Sequence, residues 1–139
     1  MPRYDFTDRV AFVTGAGRGQ GRSHAVAYAE HGASVVVTDI AAPIESSPYP
    51  LASERDLAET ARQVEDAGQD ALAVEMDVRD ESAVERAVHE AVEEFGRIDF
   101  LVNNAGIWNV ESLLEMDERR WDETVDTALK GVWLPSKHV

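Results

Sequence analysis

The stretch Thr14-Gly15-Ala16-Gly17-Arg18-Gly19-Gln20-Gly21 decides the fold of this chain. It follows the short apolar run 10–13, which is typical of a buried strand, and precedes Ala25, Val26 and Ala29, which recur at helical spacing. A turn between a buried strand and a helix N-terminus presents backbone N–H groups and the helix dipole to a phosphate, and side chains would block that approach. The spacing T-G-x-x-x-G-x-G therefore predicts a phosphate-binding loop, with a plain tight turn as the alternative.

The rest of the chain continues the alternation of strands and helices. Further strands are predicted at 34–38, 71–76 and 98–102, and further helices at 54–67, at 81–95 and from Asp117 onward. This pattern predicts an α/β fold, a Rossmann-like doubly wound parallel sheet with strand order 3-2-1-4. Residues 1–139 form one domain in this interpretation, with no internal repeat.

Segment 40–53 interrupts the alternation. Pro43, Pro48 and Pro50 forbid a regular element there, and about fourteen residues exceed the roughly two to six usual for such a connection. The segment is either a functional insert or a tolerated surface insertion.

Asp39 is the acidic partner of the glycine loop. It ends the second strand eighteen residues after Gly21, close to the ~20 expected for a carboxylate that binds an adenosine ribose. A carboxylate accepts hydrogen bonds from both ribose hydroxyls of NAD and repels the 2′-phosphate of NADP. NAD is therefore the predicted cofactor, although Arg18 in the loop is a competing feature that could neutralise that phosphate.

Two further motifs stand at strand ends, Asp77-Val78 and Asn103-Asn104-Ala105-Gly106. Together with the loop and Asp39, in this order, they make the sequence resemble the short-chain dehydrogenase/reductases over nearly its whole length. The resemblance implies that Asp77 bonds the adenine amino group, that Val78 packs on the ring, and that residues 104–106 line the adenosine and ribose. The alternatives are a helix-entry carboxylate for Asp77 and a sheet-stabilising loop for the asparagine pair.

The cofactor-binding residues expected from the motifs and the resemblance are Gly15, Gly17, Arg18, Gly19, Gln20, Gly21, Asp39, Ile40, Asp77, Val78, Asn104, Ala105 and Gly106. Residues 17–25 and the insert with Tyr49-Pro50-Leu51 are similar to the mycofactocin-associated and carveol-dehydrogenase-like members. In those members, the segment after the second strand covers a tightly held NAD.

The family's Tyr-x-x-x-Lys pair is absent from these residues. The fourth residues after the three tyrosines, Tyr4, Tyr28 and Tyr49, are Asp8, Gly32 and Ser53. The family's relay asparagine falls on Ala128, which has no polar side-chain atom. No catalytic residue is assigned, because Ser136 and Lys137 are interpreted as helix-end solvent contacts.

Composition excludes several other functions. The 27 acidic against 13 basic residues give a net charge of -14 and leave no basic face for nucleic acid. No apolar run approaches the ~18 residues of a membrane span, and the absence of cysteine fits a cytoplasmic location. No metal site is expected, because His24 and His31 lack further ligands.

The sequence thus predicts the NAD-binding portion of an oxidoreductase that transfers hydride between NAD and an alcohol or carbonyl substrate. By the resemblance, 139 residues are a little over half of such a domain, C-terminally incomplete and inactive alone. The alternative is a non-catalytic NAD-binding or assembly module. An open sheet edge and an exposed apolar stripe on the last helix (Trp121, Val125, Ala128, Leu129, Val132) predict a homo-oligomer. The tryptophans Trp121 and Trp133 are expected in a core or an interface.

Overall fold

The computed structural model describes residues 4–139, in which strands and helices alternate as predicted. The strands are Val10–Val13 (β1), Ser34–Asp39 (β2), Ala71–Glu75 (β3) and Phe100–Val102 (β4). The helices are Gly19–Glu30 (α1), Glu54–Asp66 (α2), Glu81–Phe95 (α3), Glu118–Val125 (α4) and Gly131–His138 (α5), with a π-helical segment Asp126–Lys130 between the last two. Residues 40–53 contain no helix or strand, as the prolines predict.

The four strands form one parallel sheet in the order β3-β2-β1-β4, which confirms the predicted topology. Val10 aligns with Ser34 on β2, and Ala11 aligns with Phe100 on β4. The fourth strand begins two residues later than predicted, at Phe100. Because β4 pairs with β1 alone among the described strands, it is an edge of the sheet.

Helices cover both faces of the sheet. Val10 and Phe12 point into a core shared with α3 and α5, whereas Ala11 and Val13 point into a second core shared with α1 and α2. All four β1 residues are buried, because alternate side chains enter opposite cores. This two-sided burial explains why the strand appears in the sequence as a continuous apolar run.

The helix boundaries follow the capping residues in the sequence. Asp80 accepts hydrogen bonds from the N–H groups of Ser82 and Ala83 at the start of α3, and Gly96 ends that helix at φ +76°. Asp117 caps α4 in the same way, by accepting from the Arg120 N–H. These caps confirm the predicted bounds of α3 and the predicted start of the last helix.

The last helical region buries a different face from the predicted apolar stripe. Thr127, Gly131, Leu134 and Pro135 are buried, whereas the apolar stripe is largely exposed, with Leu129 69% accessible. A side-chain Cβ on Gly131 would lie 2.5 Å from Val78 Cγ2, so this glycine permits the close approach of α5. Trp121 and Trp133 are each 57% exposed, so neither lies in the core of this chain, and their place in an interface stays a prediction. In residues 4–139, no helix combines the length and apolar character needed to cross a membrane.

Asp99, directly before β4, is hydrogen-bonded to Val10 at the start of β1. Its N–H donates to Val10 O (2.8 Å), and its carboxylate accepts the Val10 N–H (2.9 Å). The guanidinium groups of Arg97 and Arg9 also bond this carboxylate, at 2.5 and 3.2 Å. The hydrogen bond from Arg97 is the main reason that the pKa of Asp99 lies below its ordinary value.

We expect the Asp99 carboxylate to stabilise the fold in a pH-dependent manner. A depressed folded-state pKa gives a contribution that is complete above the unfolded-state pKa of about 4 and is lost as pH falls below it. The difference in unfolding free energy between wild type and Asp99→Asn, measured in urea, should be largest near neutral pH and shrink in acid. Asp122→Asn, at an exposed position of α4, is the control. An Asp99 difference that stays constant with pH would contradict this prediction.

Candidate functional site

A cavity of about 400 Å³ lies at the carboxyl ends of the strands, where parallel α/β sheets bind ligands. Its volume falls within the range of small-molecule sites. Eleven of the thirteen predicted cofactor-binding residues line it: Gly15, Arg18, Gly19, Gln20, Asp39, Ile40, Asp77, Val78, Asn104, Ala105 and Gly106.

The other two predicted residues, Gly17 and Gly21, shape the loop from behind. A Cβ on Gly21 would lie 2.0 Å from Gly15 O, and one on Gly17 would lie 2.6 Å from Ala52 Cβ. Gly15 has φ +63°, and a Cβ there would meet Ala105 Cα at 2.8 Å. Close packing against backbone atoms at Gly15 and Gly21, and against side chains at Gly17, therefore requires glycine at these positions.

The N-terminus of α1 opens into the cavity. Arg18 precedes the helix in extended conformation and makes no side-chain cap hydrogen bond. Gly19 has φ +58°, and a Cβ there would have no neighbour within 4 Å among the described atoms. The first turn thus offers N–H groups, the positive end of a helix dipole and free space, which together suit a phosphate.

Asp39 lies at the end of β2 and is 9% exposed. Its Oδ2 accepts the Gly17 N–H (2.9 Å), and its Oδ1 accepts the Ala41 N–H (3.1 Å). Each carboxylate oxygen can accept about two hydrogen bonds, so both keep capacity for hydroxyl donors. Ala41 adopts φ +51°, a conformation that places its N–H on this carboxylate at the start of the insert.

Thr14 and Asn104 bond the end of β1 to the end of β4. The Thr14 hydroxyl oxygen accepts the N–H groups of Asn104 (3.1 Å) and Ala105 (3.0 Å). The Asn104 side-chain amide donates to the carbonyls of Thr14 (3.2 Å) and Gly15 (3.1 Å). Asn104 therefore stabilises the sheet and loop, as one of the two sequence interpretations holds, while it also lines the cavity.

Asp77 is paired with Arg79, a partner that the sequence reasoning missed. The guanidinium contacts both carboxylate oxygens, the shorter contact being 2.7 Å from Nη2 to Oδ2. The hydrogen bond to Asp77 raises the pKa of Arg79 above its ordinary value. An arginine two residues after an acidic strand end could have indicated this pair.

The insert forms one wall of the cavity. Five of its residues line the space: Ile40, Ile44, Tyr49, Leu51 and Ala52. The Tyr49 ring stacks on Trp108, with centroids 5.5 Å apart. The Tyr49 hydroxyl oxygen also accepts a hydrogen bond from the backbone N–H of Trp108 at 3.2 Å. Trp108 and Ile107 directly follow the predicted Asn-Asn-Ala-Gly motif, but the site prediction stopped at Gly106.

Polar contacts hold the insert on two further sides. Glu45 pairs with Arg119 of α4 (2.9 Å), and the Ser46 N–H donates to a Glu123 carboxylate oxygen (3.2 Å). The hydrogen bond that Arg119 donates to the Glu45 carboxylate raises the pKa of Arg119 above its ordinary value. The Arg18 guanidinium donates to the Pro50 carbonyl, so the glycine loop and the insert are also joined directly.

Several other polar residues lie away from the cavity. Ser136 accepts from the Asn103 amide (3.1 Å), and Lys137 pairs with Glu81 (2.6 Å). His31 bonds the Ala27 carbonyl through Nδ1 (2.8 Å). Over residues 4–139, the one group with metal-ligand spacing is Glu81, Glu85 and His138, of which both glutamates are exposed.

A family model described as short chain dehydrogenase matches residues 9–139. The chain belongs to the short-chain dehydrogenase family. The fold, the strand-end motifs and the glycine loop of this chain agree with that membership.

Curated relatives are similar over most of this chain. An uncharacterized NAD-dependent oxidoreductase of Mycobacterium tuberculosis is 48% identical over 126 residues, covering 90% of this chain and 46% of the relative. The (-)-trans-carveol dehydrogenase of Rhodococcus erythropolis is 40% identical over 130 residues, covering 93% and 47%. This chain spans about half the length of these relatives.

Solved structures are likewise similar over most of this chain and about half of their own length. The carveol dehydrogenase from Mycobacterium avium in complex with NAD superposes with a TM-score of 0.91 at 42% identity, covering 95% of this chain and 48% of that one. A short chain dehydrogenase from Mycobacterium paratuberculosis bound to NAD gives 0.93 at 36% identity, covering 96% and 50%.

Proposed function

We propose that this chain binds NAD in the cavity at the carboxyl ends of its strands. The observation that carries the proposal is Asp39, a nearly buried carboxylate fixed by two backbone N–H groups beside the glycine loop. A charge held there suits a ribose with two free hydroxyls and opposes a 2′-phosphate. NAD-bound relatives of the same fold support the proposal.

The residues present fit the rest of the dinucleotide. The open first turn of α1 would hold the pyrophosphate, with Gly19 and Gln20 supplying N–H groups. Val78 and the Ala105-Gly106 backbone would line the adenosine, and Asp77 would accept from the adenine amino group. When bound, NAD supplies the hydride acceptor of an oxidoreductase reaction.

We propose that the whole protein transfers hydride between NAD and an alcohol or carbonyl substrate. These 139 residues contain no Tyr-x-x-x-Lys pair, so this chain contributes cofactor binding and orientation to such a reaction. That absence also favours a second candidate, a non-catalytic NAD-binding or assembly module. With either function, we propose that the protein is cytoplasmic, in keeping with a cysteine-free sequence.

Replacing the Asp39 carboxylate tests the cofactor assignment. In Asp39→Ala the ribose loses its charged acceptor, and we expect the NAD dissociation constant to rise at least about tenfold while that of NADP changes less. Isothermal calorimetry with both dinucleotides measures the two constants, and Asp122→Ala is a control on the exposed side of α4. Tighter binding of NADP than of NAD by the wild-type chain would contradict the assignment.

We propose that the insert covers the bound cofactor. Tyr49 reaches Trp108, and Glu45 reaches Arg119, so the segment is tied to elements that follow β4. Arg18 adds a bond from the glycine loop to the Pro50 carbonyl. A dinucleotide beneath this segment can leave only when some of these contacts open.

Loosening the insert should speed NAD release. In Tyr49→Ala both the ring stack and the hydroxyl bond are lost, and we expect the dissociation rate to rise about tenfold, whereas Tyr49→Phe keeps the stack and changes it less. Stopped-flow displacement of NAD measures the rates. Equal rates for wild type and Tyr49→Ala would show that the segment is a surface insertion without a covering role.

We propose that the chain self-associates through its last helical region. Trp121, Leu129 and Trp133 are all more than half exposed there, an unusual concentration of large apolar side chains on a surface. The open edge at β4 adds unpaired backbone groups nearby.

Sedimentation should detect this association. We expect wild type to sediment as an oligomer at micromolar concentration and Leu129→Glu to shift toward monomer, because a charge would enter the apolar contact. Val110→Glu, at a residue 80% exposed outside the last helical region, is the control. A wild-type chain that stays monomeric over the concentration range would contradict the proposal.

A further inference from the structure

Arg22 and Thr60 form a polar network behind the glycine loop, and neither residue lines the cavity. Thr60, on α2, is completely buried, and Arg22, on α1, is partly buried. Thr60 Oγ1 lies 2.8 Å from the Ala16 carbonyl oxygen. Arg22 donates from Nε to Thr60 Oγ1 (2.9 Å) and from Nη2 to the Gly17 carbonyl (2.6 Å). The network therefore holds two consecutive carbonyl groups of the loop.

The direction of the Thr60 hydroxyl follows from its partners. A hydroxyl has one hydrogen to donate, and here its oxygen also accepts from the Arg22 guanidinium. The hydrogen is therefore available for a carbonyl, and the Ala16 oxygen is closer than those of Gly17 (3.3 Å) and Asp56 (3.2 Å). Arg22 Nη2 meanwhile also bonds the Asp56 carbonyl (2.9 Å), which anchors the guanidinium on α2.

Peptide geometry carries this constraint to the cavity. In a trans peptide the C=O and the next N–H point in opposite directions. With the Ala16 carbonyl held by Thr60, the Gly17 N–H points the other way, and there it donates to Asp39 Oδ2 at 2.9 Å. The hydroxyl of Thr60 is thus connected to the Asp39 carboxylate through a single peptide plane.

We propose that Thr60 and Arg22 are positioning residues that fix the Asp39 carboxylate and thereby set the preference for NAD over NADP. This inference rests on the proposed function. With Oδ1 held by Ala41 and Oδ2 held by Gly17, the carboxylate directs its remaining lone pairs at fixed positions. If the Gly17 bond loosens, the carboxylate no longer holds this orientation and binds the two ribose hydroxyls of NAD less well.

The test compares variants that differ by one hydroxyl group. Thr60→Val keeps the shape of the side chain and removes its hydroxyl group, whereas Thr60→Ser keeps the hydroxyl group. We expect Thr60→Val to weaken NAD binding about fivefold and to leave NADP nearly unchanged, so that the affinity ratio falls about fivefold, with Thr60→Ser at the wild-type ratio. Calorimetric titration with NAD and NADP gives both constants.

Thr124→Val is the matched control. Thr124 also lies on a helix and outside the cavity lining, donates to a backbone carbonyl (Arg120 O, 2.7 Å) and accepts from one side chain (Asn109 Nδ2, 2.9 Å), but neither partner belongs to the glycine loop. Its affinity ratio should equal that of wild type. A lower melting temperature with an unchanged ratio in Thr60→Val would show a merely structural role and overturn the proposal.

A second variant and a ligand-free measurement keep the test decisive. If Thr60→Val does not fold, Arg22→Lys, which keeps the charge and loses the planar fork, should lower the ratio in the same direction, and an unchanged ratio overturns the proposal. Hydrogen exchange at the Gly17 amide should be faster in Thr60→Val than in Thr60→Ser, and equal exchange overturns the positioning step. A wild-type chain that binds no NAD would refute the proposed function and the cofactor preference together, whereas intact NAD binding with equal exchange would refute this inference alone.

Discussion

The hydrogen bonds of the Thr14 hydroxyl determine much of the geometry around the cavity. This oxygen accepts hydrogen bonds from the N–H groups of Asn104 and Ala105. It thereby connects the residue that follows β1 to the segment that follows β4. Asn104 returns two hydrogen bonds to the glycine loop, and Gly15 fits against Ala105 because it has no side chain. With these two strand ends fixed, the glycine loop can face Asp39 from one side and the 104–106 backbone from the other.

Much of this fold could be predicted from residue patterns because each pattern reflects a local physical requirement. The β1 run is apolar at every position because its two faces enter two cores. The bounds of α3 were predictable because its caps, Asp80 before the helix and Gly96 after it, act through local geometry. The last helical region was less predictable. Its buried face is made by Thr127, Gly131, Leu134 and Pro135, and among these only Leu134 is a large apolar residue that helical periodicity would single out.

The site was predictable where motifs carry it and not where the chain folds back on itself. Eleven motif residues line the cavity, because parallel strands end at a common edge. Tyr49 and Trp108 meet over 59 residues of sequence, and Arg22 meets Thr60 over 38, so no local spacing connects either pair. Arg22 directly follows the glycine-rich stretch of the sequence, yet its role becomes apparent only when the packing of α2 beside the loop is known.

The stack of Tyr49 on Trp108 gives the chain an optical property. Trp108 is 60% exposed, and its ring stacks on Tyr49, which belongs to the insert. Any movement of the insert changes the water around that indole, and indole emission depends on its solvent environment. The intrinsic fluorescence of the chain therefore depends on the position of the insert. Replacing Trp121 and Trp133 with phenylalanine would leave Trp108 as the single tryptophan that reports this position.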